Sequence, residues 1–229
     1  LAFGPGHYSS LSPILKPYQE TSYAAGQPIT YPIILKDSNN NNITMVNTVQ
    51  PDLFTVQISG FISVNDKLLS TIFQGSMVQP DSSVAHILAA QILITAAGEY
   101  TITIKDSENA VPTNLLGSPF TVTVNAAETN PLHCKSFSPE SAIAGEEFEI
   151  TIQTFDAYNN PTDYEDDEFV GWYGRAEEET IELIRVLNQN TSSFEFILKG
   201  TKTIAEINLI HVKHNETGIE VANSPFAIR

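Results

Sequence analysis

The sequence of 229 residues contains a single cysteine, Cys134. One thiol cannot form a disulfide within the chain, and it cannot build a cysteine-rich zinc site. A reducing compartment is the simplest interpretation, yet all-β domains of this size also fold outside cells without disulfides. The cysteine count therefore excludes a disulfide scaffold and leaves the compartment open.

Basic residues are also scarce, because 11 lysines and arginines face 27 acidic residues and give a formal net charge of -16. Such a chain repels nucleic-acid phosphates and anionic lipid headgroups, so we predict no nucleic-acid partner. No apolar run approaches the roughly 18–20 residues that cross a bilayer, which argues against direct membrane insertion by this segment. The charge favours protein partners, including partners with basic peptide segments.

Motifs for catalysis are missing as well. The sequence has no nucleophile paired with a base in a known pattern and no glycine loop that would cradle phosphate. The histidines do not suggest a metal site, because His133 and Cys134 are adjacent on a predicted strand and point to opposite faces. His211 and His214 are three residues apart and also point away from each other. We predict a protein that is not an enzyme and has no cofactor and no metal.

An acidic run occupies residues 163–168, and a second short one occupies 177–179. The spacing of the acidic residues in the run 163–168 differs from that of a twelve-residue calcium loop, and the run lacks the central glycine of such a loop. A solvated acidic face is the better interpretation. Since the run borders two predicted strands, it could also guide a basic peptide to their edge.

Internal repeats are the strongest feature of the sequence. Several short stretches, which we call anchors, occur in the same order in both halves of the chain. Each of them has the pattern of a strand or a turn. The anchors are residues 25–40 over 144–159 at an offset of 119, 99–104 over 206–211 at 107, and 118–120 over 224–226 at 106.

Apolar residues alternate with polar ones within these anchors, as expected of half-buried strands. Phe148, Ile150 and Ile152 are one such series, and Tyr100 and Ile102 belong to another. About seven short strands in about 100 residues, given twice, predict an all-β fold of two tandem immunoglobulin-like β-sandwich domains. The antibody type is excluded because it needs two cysteines.

The anchors resemble the filamin-type immunoglobulin-like repeat. Its hallmarks are an Ala-Gly turn, an Asp followed by Gly or Asn, a Gly-x-Tyr opening a late strand, and a closing Gly-Ser-Pro-Phe. The second copy departs from the pattern where Ala205 and Ile207 replace Gly and Tyr, so a tyrosine corner is expected only in the first copy. The matching stretches are Ala25-Gly26, Asp37, Gly98–Tyr100 and Gly117–Phe120 in the first copy, and Ala144-Gly145, Asp156, Asn159-Asn160 and Asn223–Phe226 in the second.

The anchors predict the organisation of the chain. We expect residues 1–6 to be the tail of a preceding repeat with its linker, 7–124 the first repeat, 125–130 a linker, and 131–229 the second repeat. Each Ser-Pro should set the entry into the last strand of its repeat, because proline lacks a ladder donor and suits the start of a strand. This organisation predicts a segment of a longer array.

The resemblance implies a structural, protein-binding segment in which partner peptides add a strand beside the C and D strands. The chain's own further repeats are another expected partner. The edges expected to bind are 54–58 with 68–73, and 169–173 with 181–186. The residues predicted to bind partners are Phe54, Val56, Ile58, Leu69, Phe169, Trp172, Tyr173, Ile181 and Leu183.

An alternative function is cell adhesion, since filamin-like repeats also occur in extracellular surface proteins, including those of gametes. The first function implies a cytoplasmic, cytoskeletal or axonemal location, and the second an extracellular surface. Glycans on sequons would distinguish them, because N-linked glycans attach only to secreted chains. The sequons begin at Asn42, Asn190 and Asn215.

Overall fold

A computed structural model describes residues 14–15, 21–34, 36–37, 39–41, 54–64, 67–78, 87–106, 112–162, 168–174, 180–188, 193–201 and 208–229. In these ranges every regular element is a β-strand. None of the described segments is a helix that could cross a membrane. The chain divides into two compact units, Leu1–Asn125 and Ala126–Arg229, called unit 1 and unit 2 below.

In its described residues unit 1 has nine strands, of which eight form one hydrogen-bonded path. The path runs β1-β3-β6-β5-β4-β7-β9-β2, and β8 pairs with β7 outside it. All neighbours are antiparallel apart from β2 and β9, which are parallel. The strands are β1 Ile14–Leu15, β2 Ser22–Ala24, β3 Pro28–Ile34, β4 Phe54–Val64, β5 Lys67–Val78, β6 Ile87–Leu93, β7 Gly98–Asp106, β8 Thr113–Asn114 and β9 Phe120–Asn125.

The described part of unit 2 has seven strands in the order β10-β11-β14-β13-β12-β15-β16. This order repeats the path β1-β3-β6-β5-β4-β7-β9 of unit 1, with one strand of unit 2 for each. The fold is therefore all-β and immunoglobulin-like, which confirms the predicted fold class. The strands are β10 Lys135–Phe137, β11 Glu147–Gln153, β12 Phe169–Tyr173, β13 Thr180–Asn188, β14 Ser193–Thr201, β15 Asn208–His214 and β16 Phe226–Ile228.

Each core is built from the alternating positions that the sequence indicates. In β3, Ile29, Tyr31 and Ile33 are buried while their neighbours are more exposed, and β11 repeats the pattern. Each large apolar side chain buried in this way contributes roughly 1.5–3 kcal/mol. The core of unit 2 comprises Cys134, Phe148, Ile150, Ile152, Phe169, Ile181, Phe196, Ile210, Val212, Val221, Phe226 and Ile228.

The strand register shows which residues of the two units correspond. Ile102 pairs with Phe120 in unit 1, and Ile210 pairs with Phe226 in unit 2. Ile102 therefore corresponds to Ile210, an offset of 108, so the offset of 107 expected for this strand is wrong by one residue. A one-residue shift turns every side chain to the opposite face, and it would have placed Leu209, which is 43% exposed, in the core.

The corrected register also moves the departures of the second copy. The positions that match Gly98 and Tyr100 are Glu206 and Asn208, rather than Ala205 and Ile207. Glu206 lies outside the described residues, whereas Asn208 is the first residue of β15. Tyrosine is still missing from the corresponding position of unit 2.

The expected tyrosine corner is present in unit 1. The Tyr100 hydroxyl donates a hydrogen bond to the carbonyl oxygen of Ala96 at 2.8 Å. Burial raises the pKa of the Tyr100 phenol, so the donor keeps its proton at neutral pH. The bond ties the start of β7 to the chain that leads into it.

We expect Tyr100→Phe to destabilise unit 1 by about 1–2 kcal/mol, because the Ala96 carbonyl loses a buried partner while the ring stays in place. Urea unfolding followed by circular dichroism measures the loss. Tyr158→Phe is the matched control, since Tyr158 is 45% exposed and should change stability by less than about 0.5 kcal/mol. Equal effects of the two changes would contradict a specific role for the Ala96 bond.

The segment predicted as a linker, residues 125–130, is largely integrated into unit 2. The Ala127 amide donates to Oδ2 of Asp156 at 2.9 Å, and Thr129 forms a β-bridge with Asp156. The Thr129 hydroxyl is buried and lies 2.7 Å from that of Thr162. A short polar sequence suggests a linker, but here its backbone donors satisfy a buried carboxylate. Residues 1–6, expected to be the tail of a preceding repeat, lie outside the described residues.

Candidate functional site

A buried aspartate organises the turn after β3. The Asp37 side chain is 1% exposed, and its Oδ1 accepts hydrogen bonds from the amides of Asn39 and Asn41 at 2.9 Å each. The Asn41 side chain donates to Oδ2 at 3.1 Å. Asn40 has a φ of 66°, a left-handed conformation that asparagine tolerates better than most residues. One carboxylate thus fixes a four-residue turn.

Unit 2 repeats this arrangement after β11. Oδ1 of Asp156, which is fully buried, accepts from the amides of Tyr158 and Asn160 at 2.8 and 2.9 Å. The Asn160 side chain donates to Oδ2 at 2.7 Å, in addition to the Ala127 amide. Asn159 adopts a φ of 65°, as its counterpart does in unit 1. We call these two structures the aspartate turns.

Neither aspartate turn is arranged as a cation site. The oxygens of each carboxylate face N–H donors, whereas calcium needs oxygens directed at a common centre. No group of three histidine, cysteine or acidic side chains in the described segments lies close enough together to hold a metal. The run 163–167 lies outside the described residues. The aspartate turns are structural.

The repeated Ser-Pro-Phe stretch forms a second matched structure, which we call the serine clamp. Ser118 Oγ accepts a hydrogen bond from the Ile104 amide at 2.8 Å, and Ser224 Oγ accepts one from the Val212 amide at 3.0 Å. In both units the Ser-Pro peptide is cis, and the residue before the serine has a positive φ. That residue is Gly117 in unit 1, with φ 94°, and Asn223 in unit 2, with φ 69°. The clamp sets where the last strand begins, as expected.

In unit 2 the serine clamp is joined to a cluster of charged and aromatic side chains. Ser224 Oγ donates to Oε2 of Glu220 at 2.7 Å, and Oε1 of Glu220 lies 3.1 Å from Nδ1 of His211. The imidazole stacks on Trp172 with ring centroids 5.2 Å apart and an interplanar angle of 11°. Lys213 Nζ lies 5.3 Å from the centre of the Trp172 ring. These five residues form the tryptophan cluster.

The corresponding positions of unit 1 hold uncharged polar residues in place of most of the cluster. Register places Gln57 where unit 2 has Trp172, Thr103 where it has His211, and Asn114 where it has Glu220. Lysine and the clamp serine are present in both units. Trp172 is only 7% exposed, so its ring is covered by its neighbours and offers no open stacking surface for a ligand. The cluster distinguishes unit 2 from unit 1.

Glu220 makes the cluster sensitive to acid. Partial burial opposes ionisation, but the hydrogen bonds from Ser224 and His211 and the charge of His211 together hold the pKa of Glu220 below its usual value. A lowered folded-state pKa means that the stabilisation is complete above the unfolded value of about 4.3 and is lost as the pH falls below it.

We therefore expect the stability difference between the native chain and Glu220→Gln to be present at pH 7 and to shrink as the pH falls toward about 3. Urea unfolding monitored by the fluorescence of Trp172 measures it in unit 2. Glu216→Gln is the control, because Glu216 is exposed in the same connection. A difference that stays constant from pH 7 to about 3 would contradict the proposed role of the ionised Glu220 carboxylate.

The residues predicted to bind partners through β4 belong to the core of unit 1. Phe54, Val56 and Ile58 are at most 4% exposed. Strand β4 pairs with β7 from Phe54 to Ile62 and with β5 from Val56 to Val64. Residues 54–58 and 68–73, the expected binding edge, thus lie on two strands that pair with each other, and partner binding at this edge stays a prediction. The side chain of Leu69, in β5, lies outside the described residues.

The corresponding strands of unit 2 are paired much less completely. Strands β12 and β13 pair only at Gly171 with Ile181 and Trp172 with Thr180. From Glu182 onward β13 pairs with β14 instead. Phe169 therefore pairs with no residue of β13, whereas on its other side it pairs with His214 of β15. A gap between β12 and β13 exists here in the described part of unit 2.

Side chains predicted to bind partners in unit 2 are mostly buried too. Phe169, Trp172 and Ile181 are at most 7% exposed, and Tyr173 is half-buried. The side chain of Leu183 lies outside the described residues. At this gap the strands present backbone groups rather than these side chains.

The histidines and sequons occupy separate places. His211 is half-buried in the tryptophan cluster, whereas His214 is buried against Phe169, so the two face apart as expected. Asn215 is exposed in the turn after β15, and its side chain donates to Glu168 at 3.0 Å. The other two sequons, at Asn42 and Asn190, lie outside the described residues.

Sequence reasoning missed the tryptophan cluster as a unit. The sequence indicates an edge-strand position for Trp172 and offers His211 only as a candidate metal ligand, so neither points to the cluster. The available signal was the comparison of outward-facing positions between the two copies, which needs the corrected offset of 108 to align His211 with a threonine. Glu220 carries no local pattern that predicts its contact with His211.

Comparison with known proteins supports the fold alone. No protein-family model and no curated protein matches the chain. Among solved structures, the Escherichia coli adhesin FdeC is 14% identical with a TM-score of 0.57, and the match covers 98% of this chain and 66% of that one. The Lin-41 filamin domain has a TM-score of 0.36 at 14% identity over 54% of this chain and 98% of that one. Invasin, a bacterial integrin-binding protein, has a TM-score of 0.40 at 11% identity over 96% of this chain and 39% of that one.

Proposed function

We propose that this chain is a non-catalytic structural and protein-interaction segment of a longer array, built from two filamin-type immunoglobulin-like repeats. The observation that carries the proposal is the recurrence of the aspartate turn and the serine clamp at corresponding places in both units. These are the positions at which the filamin-type pattern has its Asp and its Ser-Pro-Phe. The aspartate turn and the serine clamp hold strands in place, and neither positions a reactive side chain.

Partner peptides bind by strand addition in the gap between β12 and β13 of unit 2. Main-chain hydrogen bonds supply affinity in this mode, and alternate side chains supply specificity. The backbone groups of Val212 bond away from β12, so those of its neighbours His211 and Lys213 face β12 and pair with Trp172 and Val170. The intervening Gly171 and the next residue in that series, Phe169, therefore point their backbone groups toward β13. The exposed Glu168 immediately precedes Phe169, and further acidic residues lie before it in the sequence, within 163–167. The partner segment is therefore extended and basic.

A test uses two ten-residue peptide probes, one of alternating valine and lysine and one of alternating valine and glutamate. Titration followed by amide chemical shifts should move the signals of Phe169, Gly171 and β13 with the lysine peptide only. Signals of β4 should stay in place, since β5 already pairs with it. The absence of shifts in unit 2, or equal shifts with both peptides, would reject strand addition by a basic segment.

A second candidate function is cell adhesion at an extracellular surface. It is favoured by the likeness over 98% of this chain to a protein described as an adhesin, and by the exposed sequon at Asn215. The structural function places the chain in the cytoplasm, as part of the cytoskeleton or the axoneme. The adhesion function places it at the outer surface of a cell.

Intact mass of the natively purified protein, before and after deglycosylation, separates these candidates. A loss of mass traced to Asn215, Asn42 or Asn190 would support adhesion and reject the intracellular function. An unchanged mass would favour the intracellular function.

A further inference from the structure

Strand β5 has two edges that are paired to different extents. One edge pairs with β4 over the whole stretch from Lys67 to Gly75. The other edge pairs with β6, but only at Ser76, Met77 and Val78. No described strand pairs with this second edge between Lys67 and Gly75, which we call the outer edge of β5.

The hydrogen bonds of β7 establish which backbone groups face the outer edge. The Ile104 amide donates to Ser118 Oγ, and its carbonyl oxygen accepts from the Leu115 amide, so the backbone groups of Ile104 point away from β4. Because these directions alternate along a strand, the backbone groups of Thr103 and Lys105 point toward β4. Thr103 pairs with Gln57, whose backbone groups therefore face β7.

The same alternation carries across β4 to β5. Ile58 follows Gln57, so its backbone groups face β5 and bond to Phe73, with which it pairs. Phe73 and every second residue from it therefore bond to β4. The residues between them present their amides and carbonyls to the outer edge. They are Leu68, Ser70, Ile72 and Gln74. Beyond Gly75 the same side of β5 pairs with β6, from Ser76 to Val78.

The outer edge lacks the devices that usually prevent strands from pairing. Natural edge strands are interrupted by proline, by bulges or by several charges. The stretch from Lys67 to Gly75 has no proline, no acidic residue and one lysine, and it pairs with β4 without a bulge. Four consecutive outward-facing amide and carbonyl pairs in such a strand form a template for another strand.

We propose that the outer edge of β5 pairs with the same edge of a second copy of this chain, antiparallel and centred on Thr71. In this register the outward-facing residues meet each other, Leu68 opposite Gln74 and Ser70 opposite Ile72. Four such pairs across the two copies give about eight backbone hydrogen bonds. The interface is isologous, and it joins two units 1 into one continuous sheet.

Sequence and charge both favour a second copy as the occupant. The register places Thr71 opposite Thr71, a pair of a kind that stabilises antiparallel strands. Lys67 lies opposite Gly75, so the two lysines are at opposite ends of the interface. Each chain has a net charge of -16, and the stretch from Lys67 to Gly75 is free of acidic residues. Two copies can approach here with the least local repulsion.

The charge also gives the association a distinctive dependence on salt. Two molecules that carry -16 each repel one another over the Debye length, which is about 30 Å at 0.01 M and about 8 Å at 0.15 M ionic strength. Self-association through the uncharged edge therefore strengthens as salt increases. Binding of a basic peptide weakens under the same change.

Sedimentation velocity of the full chain at several concentrations, in about 0.02 M and about 0.3 M salt, tests the proposal. We expect a species of twice the chain mass that is favoured by the higher salt. Ser70→Pro removes an outward-facing amide from each copy and should weaken dimerisation at least tenfold, because proline on an open edge leaves the pairing with β4 intact. Ile72→Lys should weaken it similarly and does not depend on a backbone change.

Thr71→Pro is the matched control for folding, since the Thr71 amide faces β4 and its loss should lower the stability of unit 1. Ser70→Pro should leave the unfolding midpoint of unit 1 much less changed. A chain that stays monomeric at high salt overturns the proposal, as does a dimer that is unaffected by both Ser70→Pro and Ile72→Lys. A monomer that binds the valine-lysine peptide along β5 would assign this edge to a different protein.

Discussion

Replacing Asp156 with alanine is expected to destabilise unit 2 by about 3–5 kcal/mol, which is a large part of the stability of a typical domain. The carboxylate is fully buried and accepts from three backbone amides and one side-chain amide. Alanine would leave all of these donors without their acceptor and would release the turn as well as the chain near Ala127. The loss is large because a buried donor without a partner keeps its full desolvation cost.

Trp172 is the single tryptophan of the chain and lies in unit 2, so its fluorescence during urea unfolding measures this loss directly. Glu128→Ala is the matched control, because it removes one acidic charge from an exposed position near the same turn. The loss of stability for Asp156→Asn should fall between those for Asp156→Ala and Glu128→Ala. One carboxylate oxygen of Asp156 becomes an amide NH₂ group, which would then face other N–H donors. A loss below about 1 kcal/mol for Asp156→Ala would show that the turn forms without its carboxylate.

Replacing Gly60 with alanine is expected to destabilise unit 1 by about 3 kcal/mol. Gly60 pairs with Tyr100 across β4 and β7, and the tyrosine ring lies over it. A Cβ at this position would come within 2.7 Å of the Glu99 carbonyl oxygen and 2.8 Å of a ring carbon of Tyr100. Neither group can move easily, because one is backbone and the other is held by its hydrogen bond to Ala96.

Urea unfolding followed by circular dichroism measures the effect of Gly60→Ala. Gln57→Ala is the control on the same strand, since Gln57 is exposed and its loss should cost less than about 0.5 kcal/mol. Gly200 is a similar position in unit 2, where a Cβ would meet Phe148 and the hydroxyl of Tyr173, so Gly200→Ala should destabilise that unit. A Gly60→Ala variant as stable as Gln57→Ala would mean that β7 shifts freely relative to β4.

Much of the fold could be predicted from the sequence because the relevant interactions are local. The alternation in β3 and β11 gives both the strands and their buried faces, and the turns that follow need an aspartate beside residues that accept a positive φ. Ser-Pro-Phe combines a hydroxyl acceptor, a missing amide and an aromatic in three residues, and the aromatic is buried in unit 2 and half-buried in unit 1. Such stretches predict their local structure without information from the rest of the sequence.

Features that depend on distant strands could not be predicted in the same way. The stretch containing Leu209 and Ile210 has adjacent apolar residues, so its pattern is satisfied almost equally by two registers, and only the pairing of Ile210 with Phe226 selects one. The prediction joined residues 54–58 with 68–73 as one edge, but the register that pairs Val56 with Gly75 and Val64 with Lys67 depends on contacts between the two strands. Contacts such as that between His211 and Glu220 likewise arise only from tertiary placement.

The serine clamp has a consequence for the connection between the last two strands. In unit 1 the clamped amide and its serine are 14 residues apart, and in unit 2 they are 12 apart, yet the strands on either side keep the same pairing. The clamp separates the alignment of the strands from the length of the loop between them. Each unit therefore offers a place where extra sequence can be inserted without disturbing the sheet, so that an array of such units can diversify one loop at a time on an unchanged framework.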